Sequence, residues 1–230
     1  MAEPSARAIA PYVVPYAVFL GLVELERWLP EAQARFVLPA KVALPALLLA
    51  GFAARGAYPE LRGFRPRAAS ALDVLVGLGL ALLWVGPYLV FPGLPRGDDP
   101  FDPDVFGPGA RTAVVATRLL GFALVTPFVE ELFVRSFLLR LVDALRAGHG
   151  DFRALAVGRF AWASFGATTL WFTLSHVSWE WPVAAPVGAL FTLWLYARRQ
   201  IGATILAHAV ANAAIGAWVV AGGGTRWVFL

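Results

Sequence analysis

The chain has 230 residues, 59% hydrophobic and 15% charged, with nine tryptophans and a mean hydropathy of +0.68. That is more apolar surface than one water-soluble core of this length could bury, so a bilayer is the expected solvent. The net charge of +4 lies in short arginine-bearing loops, which fits a membrane-orientation signal and argues against nucleic acid as a partner; the lack of cysteine removes disulfides, thiolate ligands and a cysteine nucleophile.

No repeat or linker divides the sequence, so residues 1–230 read as a single all-α membrane domain. A span needs about 20 mostly apolar residues. Candidates fall at 8–25, 36–54, 70–92, 113–140, 160–178, 183–197 and 200–220, a polytopic transmembrane helix bundle of about seven spans. The first follows Arg7 and ends in GLVELERW, which has no small-x-small cleavage site, so it is expected to stay as an anchor.

Arg55, Arg62, Arg65 and Arg67 follow the second span, Arg140, Arg146, Arg153 and Arg159 the fourth, and Arg198 with Arg199 the sixth. The intervening loop GLPRGDDPFDPDVFGPG holds Asp98, Asp99, Asp102 and Asp104, and its Pro and Gly content predicts irregular structure. The positive-inside rule then places the N-terminus in the cytoplasm and the C-terminus outside, with Trp28, Trp179, Trp181 and Trp227 near the outer ends as an aromatic belt. Lys41 and Arg118, near outer ends, are expected to snorkel, Asp73 to be interfacial, and His149 to be a solvated loop histidine.

Six polar residues within the apolar runs need another explanation: Glu130, Glu131, Arg135, His176, His208 and Asn212. In VEELFVRS, Glu131 and Arg135 are four apart, Glu first, the favourable order for a helical ion pair. Glu130 is turned about 100° away, so its carboxylate lacks a partner. Phe172 with His176 and His208 with Asn212 repeat the four-residue spacing on two further spans. A carboxylate base, two imidazoles and an amide donor suffice to add water to a carbonyl: Glu130 takes the proton, His176 positions the water, and His208 with Asn212 stabilises the oxyanion. By the predicted boundaries Glu130 and His208 lie about 15 and 12 Å from the inner ends of their spans but His176 about 24 Å. A bend at Thr126–Pro127, tilt, or a later start of the fifth helix would reconcile the depths.

EELFVR as E-E-x-x-x-R, FTLSH as F-x-x-x-H and HAVAN as H-x-x-x-N, in this order on successive hydrophobic helices, resemble the three motifs of the CAAX-protease and bacteriocin-processing (Abi) family, which includes the type II CAAX prenyl endopeptidase. The resemblance covers about 113–220. It implies an intramembrane endopeptidase acting on a membrane-associated or C-terminal-motif substrate, with Glu130, His176, His208 and Asn212 in the cavity and Glu131, Arg135 and Phe172 in support. Relatives commonly end the first motif Phe-Arg-Gly; here it is Val134-Arg135-Ser136. The Pro-rich start APYVVPYAVF resembles a bacterial branch associated with exosortase protein sorting, which implies a prokaryotic cytoplasmic membrane and a protein-sorting partner.

No cofactor is expected, with zinc held by Glu130, His176 and His208 as the alternative. Against zinc, no H-E-x-x-H helix is present, and Glu131, the carboxylate that could orient a ligating histidine, is claimed by Arg135. Two other classes share the residue types. A proton-coupled transporter predicts inverted repeats, whereas the polar constellation is confined to the second half; a non-catalytic binding or immunity protein would keep the cavity without the activity.

Overall fold

The computed structural model describes residues 6–30, 33, 35–62, 64, 67–98 and 100–230; Arg65 and Asp99 lie outside these residues. The described residues form helices and turns, with no strand among them. Five helices are long and apolar enough to cross a membrane: α1 (7–28 of the helix Ala6–Trp28), α2 (Val37–Ala54), α3 (Ser70–Val90), a continuous 40-residue helix α4 (Pro108–Ala147), and, after two shorter helices, α7 (Ile201–Gly222).

The predicted fifth and sixth spans are the exceptions. The fifth is α5, Trp162–Leu174, whose 13 residues reach about 20 Å, short of a hydrocarbon core of about 30 Å. The sixth is α6, Trp181–Arg198, in which Pro182, Pro186, Trp194, Tyr196 and Arg198 dilute the apolar character. The two pack on each other, and α6 also meets α3 and α7.

α1 pairs with α2 and α3 with α7, and the middle of α4 runs between the pairs, touching α1, α2 and α7. Lipid supplies no hydrophobic drive between helices, so close backbone approach matters. At Gly77 a Cβ would collide with the Ala207 carbonyl and Val210, so glycine there lets α3 and α7 touch. One aromatic cluster, including Tyr12, Tyr16, Phe133 and Phe137, joins α1 to α4. A second, including Tyr88, Phe191 and Trp227, joins α3, α6, α7 and the C-terminal turn.

Buried polar ties revise several expectations. Asp73, fully buried rather than interfacial, accepts from Arg198 Nε at 2.8 Å and Trp194 Nε1 at 3.1 Å, pinning α3 to the end of α6. Arg140 is no free loop charge. It is buried and donates to Glu60 at 3.0 Å, to the Ser136 carbonyl at 2.5 Å and to Ser136 Oγ at 2.6 Å, and Tyr12 Oη donates to the same Glu60 oxygen at 2.9 Å. Ser136, the departure from Phe-Arg-Gly, also bonds Glu60, so its hydroxyl serves this knot. Lys41 does not snorkel; it is buried and paired with Glu26. Trp227 is buried too, leaving Trp28 and Trp181 as the exposed members of the predicted belt.

The depth conflict came from the boundaries. At 1.5 Å per residue α4 is about 60 Å long, twice the hydrocarbon core, and Glu130 stands about 25 Å from its Ala147 end. His176 follows the far end of α5, about 21 Å from Trp162. The helices start at different depths, so distances along them share no common origin.

Candidate functional site

α4 carries two segments of wider, π-type turn, Gly121–Val125 and Glu131–Leu138, on either side of Thr126–Glu130. Such segments need a reason, because the i→i+5 register is rare and gathers at functional sites. In the first, the Thr126 N–H bonds the Gly121 carbonyl. The same register would give the Phe122 carbonyl to the N–H of residue 127, but residue 127 is proline and has none. Asn212 Nδ2, from α7, donates to that carbonyl at 2.7 Å instead. The helix therefore runs on through Pro127, and an amide from another helix completes its bonding. In the second segment, Arg140 Nε bonds the Ser136 carbonyl in a comparable way.

The second π segment opens at the paired acids. Glu131 is fully buried, and its Oε1 accepts from Arg135 Nη1 at 2.9 Å and from His208 Nδ1 at 2.8 Å. The Arg135 guanidinium lies 4.5 Å from the centre of the Phe172 ring and donates to the Gly188 carbonyl at 3.3 Å. A Cβ at Gly188 would stand 2.7 Å from Phe172, so glycine makes room for the ring. Phe172 thus covers the ion pair, excluding water from it.

Glu130 is different. No hydrogen-bond donor among the described residues reaches its buried Oε2, and His208 Nε2 is 3.9 Å away, beyond bonding distance. With Nδ1–H given to Glu131, Nε2 is the His208 nitrogen turned towards Glu130. His176 lies just past the end of α5, its Nδ1 2.6 Å from the Phe172 carbonyl. A carbonyl only accepts, so Nδ1 carries the proton and Nε2 keeps a free lone pair. Burial lowers the His176 pKa, with Glu130 opposing, in keeping with a neutral ring.

Glu130, His176, His208 and Asn212 all line one cavity of about 860 Å³, as does Phe172. The six residues picked out within the apolar runs therefore fall in one place, Arg135 standing behind Phe172. The cavity reaches the end of the bundle formed by Glu24–Arg27 of α1, Lys41 of α2, the 97–98 loop and residues 228–230. His149 is exposed in a loop.

Two lining residues were not expected. Arg118 faces the cavity rather than a lipid interface, and Glu180, in the turn before α6, faces it too. Burial, then the charge of Glu130, pushes Glu180 up to about 7. Neither residue sits in a motif, and HVSWEW gives no periodic signal that would have marked Glu180.

Among the described residues no group of three His, Cys, Asp or Glu side chains is gathered closely enough to hold a metal ion. One argument used against zinc does change, however, since Glu131 does orient His208 while bonded to Arg135.

Helices of a membrane bundle enclosing a polar cavity, with an unpaired carboxylate next to a paired one, define the class of intramembrane site. Residues 112–214 match the family model described as Type II CAAX prenyl endopeptidase Rce1-like, which bears out the resemblance carried by the three motifs. Residues 1–111 lie outside the match. The matched family is a protease family, and with the five apolar helices it supports an integral membrane enzyme of the hydrolase class. No curated protein matches the chain. No solved structure matches it either.

Proposed function

We propose that the chain is an intramembrane endopeptidase that hydrolyses a peptide bond of a membrane-associated substrate with a water activated by Glu130. The observation that carries this reading is the contrast between two adjacent carboxylates. Glu131 is held by two donors, while Glu130 has none among the described residues and lines a cavity shared with His176, His208 and Asn212.

Glu130 takes a proton from water as the oxygen attacks the carbonyl carbon. The free Nε2 of His176 accepts the water's second hydrogen bond and fixes its position. The carbonyl oxygen gains the charge, facing the second Nδ2 hydrogen of Asn212, whose first is given to Phe122, and the Nε2 edge of His208, which donates when that nitrogen carries a proton. Glu130 then passes its proton to the leaving nitrogen as the C–N bond breaks. Glu131, Arg135 and Phe172 hold His208 in place without touching the reacting atoms.

Orientation follows from the loop charges: N-terminus in the cytoplasm of a prokaryotic cell, C-terminus outside. The cavity mouth, next to the 97–98 loop and residues 228–230, then faces away from the cytoplasm. The substrate bond is reached from the outer half of the membrane. A protein-sorting partner of the exosortase type is the corresponding proposal for the N-terminal half.

The test is proteomic. Membranes holding wild-type protein and membranes holding Glu130→Gln at equal abundance are compared for new protein termini by mass spectrometry. New termini confined to the wild type support the reading, and identical sets overturn it in favour of a binding or immunity role. Chelation belongs in the same experiment, with unchanged cleavage expected; activity lost on zinc removal and restored on its return would make the enzyme metal-dependent.

A further inference from the structure

Among the cations lining the cavity, Arg27 is paired with Glu24 at 3.1 Å and Lys41 with Glu26. Arg118 has no such partner among the described residues: its guanidinium makes no hydrogen bond, no carboxylate stands within salt-bridge distance, and its Nε is sealed from solvent. The Phe101 ring lies 5.4 Å away, and the carboxylates of Glu26 and Glu180 act on the guanidinium only from beyond salt-bridge distance. A half-buried guanidinium whose Nε is shut from solvent, with no carboxylate in bonding contact among the described residues, carries a desolvation cost that a charged ligand would offset. We infer that Arg118 is a specificity-determining residue that binds a carboxylate of the peptide substrate, either the chain terminus or an Asp or Glu side chain.

Position supports a peptide occupant. Arg118 and Glu130 are on one unbroken helix, twelve residues apart, which is about 18 Å along the axis. An extended peptide covers that distance in about five residues. Arg118 lies on the mouth side, so a chain entering with its bond at Glu130 would lay a carboxylate about five residues further on against the guanidinium. The bidentate geometry of Arg with carboxylate suits such an anchor. Of the acids in the same lining, Glu24 is taken by Arg27 and Glu26 by Lys41, and Glu180 does not come within salt-bridge distance of Arg118.

The inference deepens the protease reading and rests on it, but binding tests it separately. The full chain carrying Glu130→Gln, in phosphatidylcholine nanodiscs, is titrated with three fluorescein-labelled apolar nonapeptides: one with a free C-terminal carboxylate, one amidated, and one amidated with Glu as its last residue. Anisotropy should give a Kd at least tenfold lower for one or both carboxylate peptides than for the amidated one, and which of them binds identifies the carboxylate source. Adding Arg118→Gln should erase the difference, and Arg118→Lys, matched in thermal unfolding, should restore part of it. Equal Kd values for all three peptides, or a preference that survives Arg118→Gln, overturns the inference. So does a preference abolished by phosphatidylglycerol, which would assign Arg118 to a lipid headgroup. If Arg118-dependent binding holds while wild-type protein cuts nothing, the protease reading alone fails; cleavage with no carboxylate preference sinks this inference alone.

Discussion

Glu131 Oε1 lies 2.8 Å from His208 Nδ1 and 2.9 Å from Arg135 Nη1, so one buried oxygen joins the first and third motifs. The carboxylate fixes which imidazole nitrogen faces Glu130, and the guanidinium pairs with that carboxylate in an apolar setting. Adjacent acids thereby acquire opposite characters. One is fully buried and held through Oε1 by two donors, while the other has no donor among the described residues and lines the cavity.

Glu130→Gln therefore removes the base while keeping shape and hydrogen-bonding capacity. Cleavage is expected to fall by about 100- to 10,000-fold, the usual range for general-base catalysis, with the melting temperature unchanged. A variant keeping more than a tenth of wild-type turnover would take Glu130 out of the mechanism.

Arg135→Ala strands the Glu131 charge in the core. Removing one partner of a buried pair costs about 3 to 5 kcal/mol, so yield and thermal stability should drop with activity. Scanning calorimetry beside Glu130→Gln distinguishes the roles: an Arg135→Ala protein as stable as wild type but inactive would move Arg135 into the catalytic group.

Asn212 and Pro127 are coupled through the Phe122 carbonyl, which Asn212 satisfies because proline cannot. Asn212→Ala should cost about 1 to 3 kcal/mol, the range for leaving a buried acceptor unpaired. In a Pro127→Ala background, where residue 127 regains an N–H, the same change should cost clearly less. Additive effects in this double-mutant cycle would refute the coupling.

The parts of the site that lie four residues apart on a helix were legible in the sequence: Glu131 with Arg135, Phe172 with His176, His208 with Asn212. Helical spacing alone fixes those relations. The π segments were not legible, because they depend on Asn212 arriving from a helix some 90 residues away and on Arg140 turning back onto Ser136. Arg140 looked like an orientation charge because its partner, Glu60, sits in a distant loop. Arg118 looked interfacial because distance from a helix end says nothing about which side faces a cavity. Five of the seven predicted spans are long and apolar enough to cross, and apolar composition alone did not distinguish these from α5, a short helix packed on α6.

Topology can be read directly, because the chain has no cysteine. A cysteine at Pro95 should react with a membrane-impermeant maleimide in intact cells, and one at Ala147 only after lysis; both positions are exposed. The opposite pattern would reverse the orientation and turn the cavity mouth to the cytoplasm.

Glu180 gives the protein a pH dependence whose sign is fixed by its surroundings. Burial, and then the Glu130 charge, raise its pKa from 4.5 to about 7 in the folded chain. Between those two values the unfolded chain has released the proton and the folded chain still holds it, so the folded state binds more protons. Stability must then fall as pH rises from about 4.5 to 7 and level off above. Glu180→Gln cannot titrate, so its melting temperature should fall less over that interval, the two proteins differing by a constant amount above about pH 8. Thermal unfolding of both proteins in one detergent from pH 4.5 to 8.5 makes the comparison, and parallel curves across the whole range would place the Glu180 pKa at its ordinary value.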